Sequence, residues 1–198
     1  MNRNRYQKFL STSVLCGLAL AGITLAADRV TIVSEGASAS LWRPDPAVPP
    51  MTAAYPSKIV DKSEDVCIGI GYLLKEDGST SDYSLLTTWG SKGEQGEEPG
   101  GRLDPFAQNA VAVVSRWRFV PLEGGKRAAL KPLYTAATFA FSTNPAADLE
   151  ALRGHCTIAD LPAFVAKAQA DAYKKGNLNK GQMERNRIQN PPSIPLKN

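Results

Sequence analysis

An α+β fold is predicted here: a small three-stranded antiparallel sheet with helices on one face, plus a C-terminal helical extension. Three observations carry the prediction. Apolar residues alternate with period two over residues 66–74, 81–88 and 130–141, as side chains do along strands. Between the second and third of these runs, Phe106, Ala110, Val113, Val114 and Trp117 recur at helical spacing and give one wide apolar face. Glycine-containing turns separate the elements.

The elements follow in order. Residues 1–26 begin with Arg3, Arg5 and Lys8, and an uncharged, mostly apolar run extends from Phe9 to Ala26. Small residues at Ala19-Leu20-Ala21 and Thr24-Leu25-Ala26 suit an export peptidase, so the segment reads as a cleaved signal peptide, with an uncleaved membrane anchor as the alternative. Cys16 follows Ser13-Val14-Leu15, and Leu15 is too large for lipoprotein cleavage. A short strand is expected over residues 27–33, followed by small residues at 35–40. The run from Trp42 to Pro50 holds Pro44, Pro46, Pro49 and Pro50 and reads as a stiff linker, which places the N-terminal segment at 27–50 and the main domain at 51–142.

Within that domain, Tyr55-Pro56 opens a turn or extended segment. Val66, Ile68, Ile70, Tyr72 and Leu74 form one face of a strand, and Gly69 and Gly71 on the other leave room for close approach. Asp77-Gly78 makes the turn into a second strand. Residues 89–102, with five glycines and Glu94, Glu97 and Glu98, read as a solvated loop. Asp104 is expected to cap the helix and Pro105 to occupy its first position, where a missing donor costs nothing. Pro121 ends the stretch Trp117-Arg118-Phe119-Val120. Glu123-Gly124-Gly125-Lys126 turns the chain into a last strand, where Pro132 suggests an edge position. The extension, 143–176, holds one helix capped by Asn144 and another starting at Asp160, and 177–198 reads as a disordered basic tail.

Charge and cysteine content narrow the function. The chain carries 23 Lys+Arg against 19 Asp+Glu, but residues 1–26 hold three basic and no acidic residues, so the exported part has 20 against 19. That balance removes support for polyanion binding, and nucleic acid is not an expected partner. Arg116 and Arg118 flank Trp117, which reads as a core tryptophan with arginines on the solvated sides. After export two cysteines remain, Cys67 and Cys156, the number needed for one disulfide; two separate buried thiols are the alternative. Closing a loop of that length stabilises a fold by about 4 kcal/mol in the chain-entropy model.

Strand, Asp-Gly turn, strand, capped helix, Trp-Arg-Phe-x-Pro, glycine turn, strand is an order that resembles the TonB C-terminal domain family. The resemblance rests on Tyr55-Pro56, Glu76-Asp77-Gly78, Trp117-Arg118-Phe119-Val120-Pro121 and Phe139-Ala140-Phe141, and covers under half of the chain. It implies a periplasmic module that binds a protein partner, an outer-membrane transporter or another envelope protein, by adding a strand to a sheet edge. The expected edge is the last strand, with Leu133, Thr135, Ala137, Phe139 and Phe141 as binding residues unless the C-terminal extension covers it. A membrane-anchored energy transducer is the alternative. Against it stand the absence of histidine from residues 9–26 and the short proline-rich segment.

No enzyme is expected. Any Ser-His-Asp or Cys-His arrangement must use the single histidine, His155, and a disulfide would consume the adjoining Cys156; a hydrolase using His155 is the remaining alternative. No pair of Cys/His residues at metal-ligand spacing and no phosphate-cradling glycine loop is present, so neither a metal nor another cofactor is expected.

Overall fold

The computed structural model describes residues 30–49, 51–59, 63–93, 101–122 and 131–174. The leader or anchor, the acidic residues 94–98, the 123–126 turn and the basic tail lie outside these residues. Nine strands and α-helices follow in order among the described residues, with a 3-10 turn at Ala37–Ser40 after the first: β1 (Thr31–Ile32), β2 (Trp42–Pro44), β3 (Val66–Leu74), β4 (Thr80–Gly90), α1 (Asp104–Val114), β5 (Phe119–Pro121), β6 (Leu133–Phe141), α2 (Leu149–Gly154) and α3 (Leu161–Lys174). The main sheet has the order β1-β6-β3-β4, with β3 antiparallel to both β4 and β6, and β1 parallel to β6. The expected α+β class and the three antiparallel strands are therefore present.

Period-two alternation along β3 and β6 separates two apolar layers. On one side Val66, Ile68, Ile70, Tyr72 and Leu74 of β3 and Leu133, Ala137, Phe139 and Phe141 of β6 pack against Phe106, Ala107, Ala110, Val113 and Val114 of α1. On the other side Tyr134 and Ala136 meet Leu161 and Val165 of α3, and Cys67 meets Leu152 and Cys156 beside α2. The C-terminal extension thus adds a helical layer on the second face of the sheet, and α2 borders the C-terminal half of the outer β6 edge without pairing to it. A disulfide joins Cys67 to Cys156 and fixes α2 to the central strand. The two glycines of β3 lie under this layer: a Cβ at Gly69 would stand 3.2 Å from the Cys156 carbonyl, and one at Gly71 would collide with the Tyr134 hydroxyl.

Three expectations are corrected by local geometry. Leu103, not Asp104, holds the N-cap of α1, and Asp104 is its first helical residue. Leu103 is buried in the core, and burying its side chain outweighs the roughly 1 kcal/mol a side-chain cap gives. The cap of α2 is Asp148, whose Oδ1 accepts from the N–H groups of Glu150 and Ala151 at 3.1 and 3.0 Å; Asn144 instead closes a turn with Ala146. Asp160 caps α3 as expected, accepting from Ala163 at 2.9 Å.

The third correction concerns the segment read as a linker. Trp42-Arg43-Pro44 pairs antiparallel with Phe119-Val120-Pro121, and Trp42 is buried in the main core. Proline is tolerated here because a two-stranded ladder leaves one side of each strand without a donor requirement. The aromatic-basic stretch after α1 is thereby held from two directions. Phe119 donates its N–H to the Gly78 carbonyl at 2.9 Å, and Gly78, at φ +80°, has the Phe119 carbonyl where a Cβ would go. Arg118 donates to the Ser115 and Trp117 carbonyls at 3.2 and 2.7 Å, placing a cation at the C-terminal end of α1. At the entrance of the same helix, the buried Glu64 carboxylate pairs with Arg102.

Two predictions test these restraints. Gly71→Ala is expected to cost about 1–3 kcal/mol in urea unfolding, because the Tyr134 ring must move. The 89-residue separation of the bridged cysteines makes reduction cost about 4 kcal/mol, read as a lower urea midpoint in reductant. A third follows from the Asp77 carboxyl. Hydrogen bonds from the Ser79 hydroxyl and N–H hold it below its ordinary value of 3.8, with Lys75 and Arg118 adding in the same direction. Its contribution is present above that ordinary value and is lost as pH falls through the lower folded one. The Tm difference between the native chain and Asp77→Ala is therefore expected to be constant near neutrality and to shrink below about pH 4.

Candidate functional site

The outer edge of β6 is built from alternate residues. Phe139, Ala137 and Phe141 face Ile68, Ile70 and Val66 of β3, while the Thr138 N–H and the Tyr134 carbonyl point the other way, to Glu35 and Val33. Backbone groups alternate sides along a strand, so the outward rungs belong to Tyr134, Ala136, Thr138, Ala140 and, just beyond the strand, Ser142. The residues singled out from sequence, Leu133, Thr135, Ala137, Phe139 and Phe141, belong to the inward set, and their side chains are buried.

The first half of this edge is occupied. β1 pairs with Leu133 and Tyr134, Val33 donates to the Tyr134 carbonyl at 2.9 Å, and Thr135 Oγ1 donates to the Ser34 carbonyl at 3.3 Å. Glu35 follows, accepting the Thr138 N–H at Oε1 (2.7 Å) and the Thr138 hydroxyl at Oε2 (2.6 Å). Burial first, and then the Glu35 charge, raises the Tyr72 phenol well above its usual range, so Tyr72 stays neutral beside this carboxylate.

The second half opens into a groove of about 550 Å³, lined by Met51–Tyr55, Trp117, Thr138–Ser142, Leu149 and Arg153. One wall is the segment Met51–Tyr55. Trp117 donates its Nε1–H to the Met51 carbonyl at 3.2 Å, Asn109 donates to the Ala54 carbonyl, and the Tyr55 ring meets Phe106 edge-on at 5.0 Å. Pro56, next in the chain, is buried. The opposite wall is α2, with Leu149 and Arg153 towards the groove and Arg153 bonded to Glu150 at 3.3 Å. Two of the four large exposed apolar side chains among the described residues, Met51 (48%) and Leu149 (43%), stand on these facing walls.

The motif residues are brought together only in part. Asp77 and Gly78 meet Phe119 at the turn, and Trp117 reaches both Phe139 of β6, with ring centroids 5.8 Å apart, and the groove. Asp104 and Pro105 lie in the first turn of α1 and do not line the groove. Sequence reasoning missed Glu35, Met51, Ala140, Leu149 and Arg153 as site residues. Only Met51 had a sequence signal, as an apolar residue outside any alternating or helical pattern.

His155 stacks flat on Trp89, with centroids 4.0 Å apart and planes 3° apart, and Cys156 is held in the disulfide. Among the described residues no group of three His, Cys, Asp or Glu side chains gathers as metal ligands would, and no helix is long and apolar enough to cross a membrane.

No protein-family model matches the chain, and no curated protein matches it. Among solved structures, the solution NMR structure of the Pseudomonas aeruginosa TonB C-terminal domain is similar to this chain at a TM-score of 0.39 and 19% identity, covering 58% of this chain and 97% of that one.

Proposed function

We propose that this protein is a non-catalytic protein-binding module of the cell envelope that takes an extended segment of a partner onto the β6 edge. The observation that carries the reading is the open second half of that edge. Ala140 and Ser142 lie there at the floor of a groove with apolar walls, and among the described residues no strand pairs with β6 beyond Tyr134 on that side. An added strand gains main-chain hydrogen bonds from the outward rungs, and its alternate side chains meet the two walls. Met51 and Leu149 offer apolar contact for such side chains, and the fixed Met51–Tyr55 segment keeps the groove open without a partner.

A disulfide at the centre of the fold suits an oxidising compartment, and so supports export to the periplasm through residues 1–26. An outer-membrane transporter is the partner that the sequence resemblance favours. N-terminal sequencing of protein isolated from the envelope is expected to begin at Gly22, Ala27 or Asp28; a retained residue 1 would favour the membrane-anchored form.

The edge itself is tested by substitution. Ala140→Pro deletes an N–H that faces away from β3, so the β3–β6 ladder survives while the added strand loses a rung and meets the proline ring. A photo-crosslinker at Leu149 is expected to capture a partner in cells, and Ala140→Pro to reduce that capture at least tenfold, the scale of about 1.4 kcal/mol. A crosslinker at Leu41, which is exposed but lies away from the groove, serves as control. Equal capture with and without Ala140→Pro would refute strand addition at this edge.

A further inference from the structure

Residues 31–35 trace the outer side of β6 in parallel, giving it two paired residues, one further backbone bond from Val33, and then a side chain in place of a strand. At Thr138 the acceptor is the Glu35 carboxylate, with both oxygens engaged at 2.7 and 2.6 Å. It stands where the carbonyl of an added strand would stand. The chain on either side of it differs in how firmly it is held. Ile32 packs with the cluster of Tyr134, Leu161 and Val165, and Ser34 Oγ donates to the Ala159 carbonyl at 3.0 Å and accepts from the Leu161 N–H at 3.3 Å. Glu35 by contrast is exposed, and Gly36 after it turns the chain away at φ +81° with nothing within 4 Å of a would-be Cβ.

From this arrangement we infer that Glu35 is an intramolecular competitor for the binding edge. It holds the Thr138 donors when no partner is bound and yields them to the carbonyl of an arriving strand. The inference rests on the strand-addition reading of the β6 edge. The exchange is nearly balanced, because the released carboxylate is already at the surface and returns to water without a burial penalty. With Glu35 in place an added strand reaches only Ala140 and Ser142; with Glu35 released it gains the Thr138 rung. The segment anchored at Ser34 stays, so the partner stops at a defined register.

The test uses the full chain and its Glu35→Ala and Glu35→Gln variants. In the free proteins, amide exchange at Thr138 is expected to be about tenfold faster in Glu35→Ala, with the melting temperature lowered by no more than about 2–4 °C, the scale of the lost Thr138 bonds. Unchanged exchange at Thr138 would overturn the inference at once. Random heptapeptides displayed on phage are then selected on Glu35→Ala, synthesised, and titrated onto all three proteins while amide protection is followed. The expected result is protection of Ala140 and Ser142 in every complex, with binding about fivefold to tenfold tighter to Glu35→Ala and intermediate for Glu35→Gln, the scale of one charge-assisted hydrogen bond. Protection at Ala140 and Ser142 with equal affinity for all three would overturn the role of Glu35 and leave strand addition standing. Peptides that bind without protecting any β6 amide would overturn both.

Discussion

Everything in this fold depends on β3 being buried on both faces and paired on both sides. Its even residues lie under α1, and its odd residues lie under the C-terminal helices. A strand in that position cannot carry large side chains on both faces where a second layer approaches closely. Gly69 and Gly71 resolve the conflict, admitting the Cys156 carbonyl and the Tyr134 ring to the backbone itself. The disulfide then fixes the layer those glycines admit, joining β3 to the end of α2. The position of α2 matters for the candidate site, because Leu149 and Arg153 form one wall of the groove. A choice of residues on the central strand thus sets the shape of a surface at the sheet's edge.

The second wall is set by a separate chain of restraints that passes through Trp117. The Asp77-Gly78 turn accepts the Phe119 N–H, and β2 pairs with Phe119-Val120-Pro121 from the other side. Between this anchored strand and the end of α1, Trp117 has little freedom. It is fixed edge-on to Tyr72 and Phe119, and its indole N–H holds the Met51 carbonyl. The aromatic-basic stretch is therefore a device that orients the groove, with Arg118 turned back onto the carbonyls at the end of α1.

Regular elements were legible where one physical rule dominated. Period-two alternation gave β3, β4 and β6, helical spacing gave α1, and a pair of cysteines beyond the expected leader gave the bridge. Legibility failed where two rules of similar size competed. Asn144-Pro145 and Asp148 both have helix-start chemistry, and nothing local to the sequence tells which will start α2. Leu103 takes the cap of α1 because core burial, which a cap rule does not weigh, decides the first turn. The proline-rich run beginning at Trp42 was illegible for another reason: its pairing partner lies far along the chain, and only the buried Trp42 hints that the run is folded.

The candidate edge was legible as a strand but not as a site, and the distinction is geometric. Side chains of a strand alternate above and below the sheet, whereas its N–H and C=O groups alternate left and right within it. On β6 the two alternations coincide so that residues with core side chains send their backbone groups to β3. Reading the apolar residues therefore selects the half of the strand that has no groups to offer a partner. Long exposed edges are normally blunted against unwanted pairing. At the other end of the sheet this is done within the strand: β4 departs from regular register twice and carries Asp82 at φ +51°. The β6 edge has no such irregularity in its pairing with β3, and its protection is instead supplied from outside, by a two-residue strand and one carboxylate. Protection built into a strand is permanent, whereas protection made by an exposed side chain is removable. Under the proposed function, that difference is why the β6 edge, and not the longer β4 edge, is the part of this sheet assigned to reversible binding.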